Sequence, residues 1–237
     1  MRAASQHYEI KVWVMNICML TSVSGEDSAW VPQYLNEVER LGIDFVIHLD
    51  RCDKRMSDLF TTHKSCAGHT KGDGREFNET HKNKPMALVV RLGYDLAFAT
   101  DIDETYDKDA PSKLKSLPRS GLTSTYWINL WGDIKHIRVD GPFALKPRDK
   151  LYDLKNHSWK YRSPVINGPY PHPDTTSVRS DIVCLHHGFM TRELRLMHKA
   201  RWDRIYTKAR GKNPYGIWNY ATDEVTYPPT IEDNPYL

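Results

Sequence analysis

The stretch Leu96–Tyr106 reads LAFATDIDETY and places three carboxylates directly after a short, mostly apolar run. Residues 96–100 have the composition of a buried β-strand, so Asp101, Asp103 and Glu104 are expected to emerge where that strand leaves its sheet. Because alternate residues of an extended chain point the same way, the two aspartates are expected to converge on one site. Such a pair suits a hard divalent cation, Mg²⁺ or Mn²⁺.

The composition is that of a soluble globular protein with one sizeable core. The chain has 237 residues, of which 40% are hydrophobic and 27% charged, and its formal net charge is +3. This mild charge permits a polyanionic partner without requiring one. The four cysteines form no C-x-x-C pair, which favours reduced thiols and a cytoplasmic location. The apolar run 10–20 is too short for a membrane span, so no membrane span is expected. The oligomeric state is left open.

Upstream of the acidic stretch, the pattern predicts a strand, a helix and a second strand. The first strand is expected at 12–20, followed by a polar loop at 21–25 and a helix that runs to about Leu41. The second strand, 45–49, ends at two charged residues, Asp50 and Arg51. If the two strands are parallel, the loops that follow them open at the same edge of the sheet.

The segment 61–84 is rich in His, Lys, Gly and Asn and predicts a mobile surface loop. It contains four potential zinc ligands: His63, Cys66, His69 and His81. Their spacing is not that of a strong zinc motif, so a solvated lid is the favoured interpretation. The segment 85–93 then predicts a mostly buried helix that leads into the strand 96–100.

The second half of the chain predicts more strands and one late helix. Strands are expected at 122–130, 135–139 and 181–185, with a short strand and a helical turn within 141–154. The last strand ends at His186 and His187. Thr191 is placed to cap a helix that ends at Gly211. Between positions 192 and 212 there are eight Lys or Arg and two acids, which gives +6.

The order of these elements resembles that of family 2-like glycosyltransferases of the GT-A fold over residues 12–208. LAFATDIDE is similar to the D-x-D segment of that group, and LHHG, followed by a Lys-bearing helix, to its late histidine segment. The resemblance implies a single α/β domain with a mixed, mainly parallel sheet flanked by helices. Residues 8–106 would form its nucleotide-sugar-binding half and residues 107–237 its acceptor-binding half.

The resemblance also implies roles for individual residues. Asp101 and Asp103 would hold the diphosphate of the donor through Mn²⁺ or Mg²⁺, with His187 or His186 as a further ligand. The residues expected near the base and ribose of the nucleotide are Thr21, Asp50 and Arg51. Physically this is coherent, because a cation neutralises charge on the departing diphosphate.

An inverting transferase needs a carboxylate base for the acceptor hydroxyl, whereas a retaining enzyme does not. The candidates are Asp133, Asp140, Asp153 and Asp181. Asp133 is preferred because it follows Trp131 and Gly132, and an aromatic ring beside an acid suits stacking on a sugar or base. A turn in the core explains the same residues.

The sequence leaves the acceptor open. The +6 helix, with aromatic residues such as Trp131 and Trp218, is compatible with a hydroxymethylated pyrimidine in DNA, as found in some bacteriophages. A cell-envelope glycan is the other option.

Other functions match parts of the same sequence. DIDET also fits the D-x-D-x-T motif of haloacid-dehalogenase-like phosphatases, in which Asp101 would attack phosphate and Asp103 would act as acid and base. That motif normally opens its fold, whereas here 100 residues precede it, and no G-D-x-x-x-D pair follows. A non-catalytic nucleic-acid-binding module built on the basic helix is a third interpretation. A purely structural role is the remaining alternative, in which the two aspartates cap a turn and the two histidines are core residues.

Overall fold

The computed structural model describes residues 15–72, 79–117, 121–141, 146–155, 158–161, 177–210 and 229–237. Its helices are α1 (Val31–Leu41), α2 (Lys54–Thr61), α3 (Asn83–Arg91), α4 (Ala110–Lys115) and α5 (Arg192–Arg210), with 3₁₀ helices at Gly25–Trp30 and Glu79–Lys82. Its strands are β1 (Ile17–Ser24), β2 (Asp44–Asp50), β3 (Cys66–Lys71), β4 (Leu96–Ala99), β5 (Glu104–Tyr106), β6 (Leu122–Trp131), β7 (Asp133–Arg138), β8 (Lys146–Asp153), β9 (Ser177–His186) and β10 (Ile231–Asp233).

The described strands form one mixed sheet. Its main path has the order β10-β7-β6-β8-β4-β1-β2-β3, and β9 pairs with β6 and β5. The strands β4, β1, β2 and β3 are parallel, so their carboxyl ends lie at one edge. β8 runs antiparallel between β4 and β6 and so joins the two predicted halves, 8–106 and 107–237, in one sheet. The mixed α/β fold class is confirmed.

Helices cover both faces of the parallel strands. Phe45 and Ile47 belong to one core, which includes residues of α1, α2 and α4, whereas Val46 belongs to a second core with residues of α3. This alternation is the period of a β-strand buried on both faces. In the first core the rings of Tyr34, Phe45 and Phe60 contact one another edge to face, with centroids 5.8–6.3 Å apart.

The predicted strand, helix and strand are confirmed, with one boundary corrected. β1 continues through Ser24, where the sequence predicts a loop, because all of 18–24 pairs in parallel with β2. The Asp27 carboxylate then accepts hydrogen bonds from the backbone N–H and the hydroxyl of Ser24 and begins the 3₁₀ helix. Gly42, in the left-handed conformation with φ of 66°, ends α1 as expected for a helix terminus.

The prediction of one long loop at 61–84 is wrong in its first part. Residues 66–71 form β3, which pairs with β2 at the end of the sheet. Its side chains are partly or fully exposed, and a polar composition is tolerated at such an edge. The zinc interpretation gains no support, since His63 faces Glu39 at 3.4 Å. The predicted helix at 85–93 is confirmed as α3.

In the second half, the strands predicted at 122–130, 135–139 and 181–185 are confirmed as β6, β7 and β9, and the late helix as α5. Within 141–154 the predicted short strand is confirmed as β8, which is extended over 146–153 and pairs with both β4 and β6, so the predicted helical turn does not lie there. Residues 142–145 lie outside the described residues. None of the helices among the described residues combines the length and the apolar character needed to cross a bilayer. Predicted features at 12–14, Gly211 and Trp218 lie outside the described residues.

We expect Phe45→Ala to lower the free energy of unfolding by about 3–5 kcal/mol, because it removes a fully buried ring and leaves a cavity. The matched control is Val90→Ala on α3, where the side chain is 51% exposed, and it should change stability by less than about 0.5 kcal/mol. Urea denaturation of both variants measures the difference. Equal effects would contradict the placement of Phe45 in this core.

Candidate active site

The antiparallel pair of β5 and β9 brings the DIDE segment against the late histidines. Glu104 lies opposite His186 in the register. Just beyond the pair, the backbone N–H of His187 donates to the carbonyl of Asp103 at 2.9 Å. Residues far apart in the sequence are therefore fixed relative to each other by backbone hydrogen bonds.

Three side chains with metal-binding atoms converge at this point: Asp103, His186 and His198. Oδ2 of Asp103 lies 3.3 Å from Nε2 of His186 and 3.3 Å from Nε2 of His198. His198 lies on α5, Asp103 lies in the loop that follows β4, and His186 is the last residue of β9. Within the part of the chain that the structure describes, this is the one cluster of three such residues with metal-ligand spacing.

The orientation of His186 favours a cation in this cluster. Its Nδ1 lies 3.0 Å from Oδ1 of Asn129, and the amide oxygen can only accept, so Nδ1 carries the proton. Nε2 then faces the Asp103 carboxylate at 3.3 Å, so either a proton or a cation lies between the two atoms. An outer partner that fixes the imidazole in this way is usual for metal-binding histidines.

Gly188 leaves the space beside these ligands open. A Cβ at this position would lie 2.5 Å from Oδ2 of Asp103 and 2.9 Å from Cε1 of His186, and would also contact Nε2 of His198. The residues therefore fit a divalent ion. One carboxylate and two imidazoles suit Mn²⁺ better than Mg²⁺, which prefers oxygen ligands. The same donor set also suits Zn²⁺ and Fe²⁺.

The electrostatics keep the carboxylate of this cluster ionised. Burial by itself would raise the pKa of the Asp103 carboxyl, but His186 and His198 hold that pKa well below its usual range. Asp103 is therefore an anion at neutral pH.

His187 contacts a different set of residues. Its Nε2 lies 2.9 Å from the hydroxyl of Thr105, and its ring lies 6.1 Å from that of Trp30. Burial lowers the pKa of its imidazole to about 4, so this side chain is neutral at pH 7. The cluster contains His186 in its place, together with His198, which the sequence reasoning did not identify.

Asp101 lies outside the cluster and is bound by two lysines. Nζ of Lys82 lies 3.1 Å from Oδ1, and Nζ of Lys150 lies 3.9 Å from Oδ2. Burial would raise the pKa of Asp101, but the two ammonium groups lower it. The role of Asp101 as a metal ligand stays a prediction.

Glu104 connects the acidic segment to its surroundings. Its two oxygens accept from Nζ of Lys150 at 2.7 and 2.9 Å, from Nε1 of Trp127 at 3.0 Å and from the Tyr106 hydroxyl at 3.2 Å. One of them also accepts from the backbone N–H of Asp101 at 3.0 Å. The side chain is fully buried, so these donors replace its hydration shell.

The residues predicted to bind the nucleotide lie in or just after β1 and β2. Asp50 is fully buried at the end of β2, and its Oδ2 accepts from Nε of Arg51 at 2.8 Å. Its Oδ1 has no hydrogen-bond donor among the described residues. Thr21 lies inside β1, also fully buried, with its hydroxyl 2.5 Å from that of Thr100. Asp50 therefore retains a buried acceptor atom, whereas the hydroxyl of Thr21 already has a partner.

Asp133, the preferred catalytic base, is exposed at the start of β7. Its Oδ1 accepts from the backbone N–H of Lys135 and lies 2.7 Å from Nδ1 of His136. These contacts lower the pKa of Asp133, which weakens it as a proton acceptor. The preceding Gly132 donates to the carbonyl of Met190 at 2.7 Å, so the turn lies close to the segment that follows the histidines. The catalytic role of Asp133 stays a prediction.

No protein-family model and no curated protein matches the chain. Among solved structures it is similar to S. aureus TarS 1-349, with 8% identity and a TM-score of 0.48, covering 90% of this chain and 71% of that one. For TarS 1-349 in complex with UDP-GlcNAc the identity is 10% and the TM-score is 0.40. The similarity covers 50% of this chain, which spans only 36% of that chain's length. For the inositol-1-phosphate CTP transferase from T. maritima the identity is 9% and the TM-score is 0.46, and the similarity covers 82% of this chain and 97% of that one. At this level the similarities assign neither a family nor an activity.

We expect Glu104→Gln to lower the free energy of unfolding by about 3–5 kcal/mol, because it leaves the buried ammonium of Lys150 without its closest counter-ion. The control is Asp58→Asn in the exposed Lys54–Asp58 pair, which should cost about 0.5 kcal/mol or less. Urea denaturation is the measurement. The double variant Glu104→Gln/Lys150→Met should recover part of the loss, and a loss that stays the same would argue against this ion pair as the cause.

Proposed function

We propose that this chain is a metal-dependent glycosyltransferase that moves a sugar from a nucleotide-diphosphate sugar to an acceptor hydroxyl. The observation that carries the proposal is the Asp103–His186–His198 cluster, which lies just beyond the carboxyl end of β4. In open α/β sheets, ligands bind in the crevice outside the carboxyl ends of the strands. A metal site at this edge suits a ligand that carries a diphosphate.

In this proposal Asp103, His186 and His198 would hold the ion, and their donor atoms favour Mn²⁺ over Mg²⁺. Compensation of the charge that develops on the leaving diphosphate is the chemistry such an ion supplies when bound. Lys82 and Lys150 hold Asp101 in place beside the cluster and contribute positive charge to the same region.

The nucleotide would lie over the ends of β1 and β2. Asp50 is the proposed contact, because its Oδ1 is an acceptor that has no hydrogen-bond donor among the described residues. Arg51, whose side chain is 40% exposed, lies beside it. Thr21 would act through the strand that it helps to order.

The phosphatase alternative requires Asp103 to exchange protons as acid and base. Its Oδ2 lies between two imidazole nitrogens, and its pKa is depressed, which suits a permanent anion better than an acid. This contact supports a metal-ligand role for Asp103 over the phosphatase role.

The test combines metal and donor binding. We expect isothermal titration to show Mn²⁺ binding to the native chain, and tighter binding of one member of a panel of UDP-, GDP-, CDP- and TDP-sugars when Mn²⁺ is present. Asp103→Asn and His198→Ala should each weaken Mn²⁺ binding by more than about tenfold. Gly188→Ala should do the same while keeping every ligand residue, because its methyl group would crowd the ligand atoms and force them to shift.

Glu193→Gln is the matched control, since this exposed residue lies on the same helix as His198 and outside the cluster. It should bind Mn²⁺ and the nucleotide sugar as the native chain does. If the Asp103→Asn variant is folded and binds both ligands with native affinity, the assignment of the cluster is wrong.

A further inference from the structure

An open cleft lies beside Asp101 on the side of β6 and β8. Its polar walls come from Lys82, Asp101, Arg148, Asp149 and Lys150, and the aromatic residues Trp127, Tyr152 and Tyr161 also line it. In the sheet, β8 and β6 lie on one side of β4, whereas β1 and β2, with Asp50, lie on the other. The cleft is therefore separate from the proposed nucleotide region, and Asp101 lies between the two.

The charges of the described lining residues balance. The cations are Lys82, Arg148 and Lys150, and the acids are Asp101, Glu104 and Asp149. Two of the cations are already in contact with buried or half-buried carboxylates. A polyanion depends on many uncompensated cations, and this cleft does not offer them.

Trp127 is held rigidly between the cleft and the metal-ligand cluster. Its Nε1 donates to Glu104, which fixes the plane of the ring. The guanidinium of Arg148 lies 4.7 Å from the centre of that ring, and the ring of His186 lies 4.5 Å away at 35°. A molecule bound against Trp127 would therefore lie next to the residues proposed to hold the donor diphosphate.

Asp149 presents a carboxylate at the mouth of the cleft. One of its oxygens accepts from the hydroxyl of Ser124 at 2.7 Å, and the side chain is otherwise exposed. Donors on Arg148, which is held over the Trp127 ring, an acceptor on Asp149 and the aromatic residues of the lining together match the chemistry of a sugar ring, which has hydroxyls at its rim and C–H groups on its faces.

Among the side chains of the basic helix α5 that the structure describes, most cations already have acidic partners. Many of its described cations are paired with acids: Arg201 with Asp27 at 3.0 Å, Arg204 with Glu26 at 3.5 Å, and Lys199 with Asp203 at 2.5 Å. The first two pairs fasten the helix to the 3₁₀ helix after β1. The cations of these two pairs serve the fold and are less available to DNA.

We propose that this cleft binds the acceptor, and that the acceptor is a neutral sugar that lies beside Trp127 with its hydroxyls on Arg148 and Asp149. The assignment of this sugar as the acceptor rests on the proposed function, but the binding of a sugar in this cleft can be tested without it. The same chemistry would also recognise the sugar of the donor, and the experiment separates the two.

The probes are methyl β-D-glucoside, methyl β-D-galactoside, methyl N-acetyl-β-D-glucosaminide and a short hydroxymethylated DNA duplex, each titrated into the full chain by saturation-transfer NMR or fluorescence. We expect saturable binding of at least one glycoside in the millimolar range. Arg148→Ala and Asp149→Asn should each weaken it by about tenfold. Lys155→Ala, an exposed cation outside the cleft, should leave it unchanged.

Nucleotide-sugar binding in the same variants distinguishes acceptor from donor. Native donor affinity in Arg148→Ala supports the acceptor assignment, whereas equal losses for glycoside and donor would show that the cleft holds the donor sugar and would overturn it. The absence of glycoside binding, or salt-sensitive DNA binding that Arg148→Ala abolishes, would overturn it as well. Glycoside binding without any donor binding would refute the proposed transferase but support a sugar site in this cleft.

Discussion

The backbone pairing of β5 with β9 is the constraint on which the candidate site depends. It places Asp103 against His186 through main-chain hydrogen bonds, including the bond from His187 N–H to the Asp103 carbonyl. Side chains placed by paired strands are held more precisely than side chains on independent loops. The pairing also explains the position of β5, a three-residue strand whose backbone pairs with the described sheet only through β9. The sheet thus positions a site that lies beyond its own edge.

A buried ion network keeps the acidic segment in place once the strands are paired. Glu104 is surrounded by donors from β6, β8 and its own strand, and it binds the backbone N–H of Asp101. Such a network adds little net stability compared with an apolar core, because its charges lose their hydration. What it provides is one defined conformation for the loop from Asp101 to Glu104. The cluster at Asp103 and the cleft beside Trp127 both depend on that conformation.

The sequence predicted those features that follow from local periodicity and missed those that depend on partners distant in the chain. The apolar run at 96–99 and the acids after it identified β4 and its edge correctly. β3 was missed because an edge strand need not be apolar. The register of β9 cannot be predicted from the local sequence, because which of His186 and His187 faces Asp103 depends on the strand paired with β9. The role of His198 cannot be predicted locally either, because its helix is held by ion pairs with Asp27 and Glu26. A histidine in the second turn of the helix after LHHG is the one signal that could have suggested it.

Counting charges along the sequence is a poor guide to partners, and α5 shows why. Its excess of cations predicts a surface for a polyanion, yet that prediction treats each cation as free. Arg201 and Arg204 lie against Asp27 and Glu26, acids that are remote in the sequence and adjacent in the fold. A partly buried ion pair has already exchanged its solvent for its counter-ion, so little of its charge is available to attract a second one. The charges lining the cleft beside Trp127 balance in the same way, so if this cleft binds the acceptor, as proposed, shape and hydrogen-bonding groups rather than net charge select it.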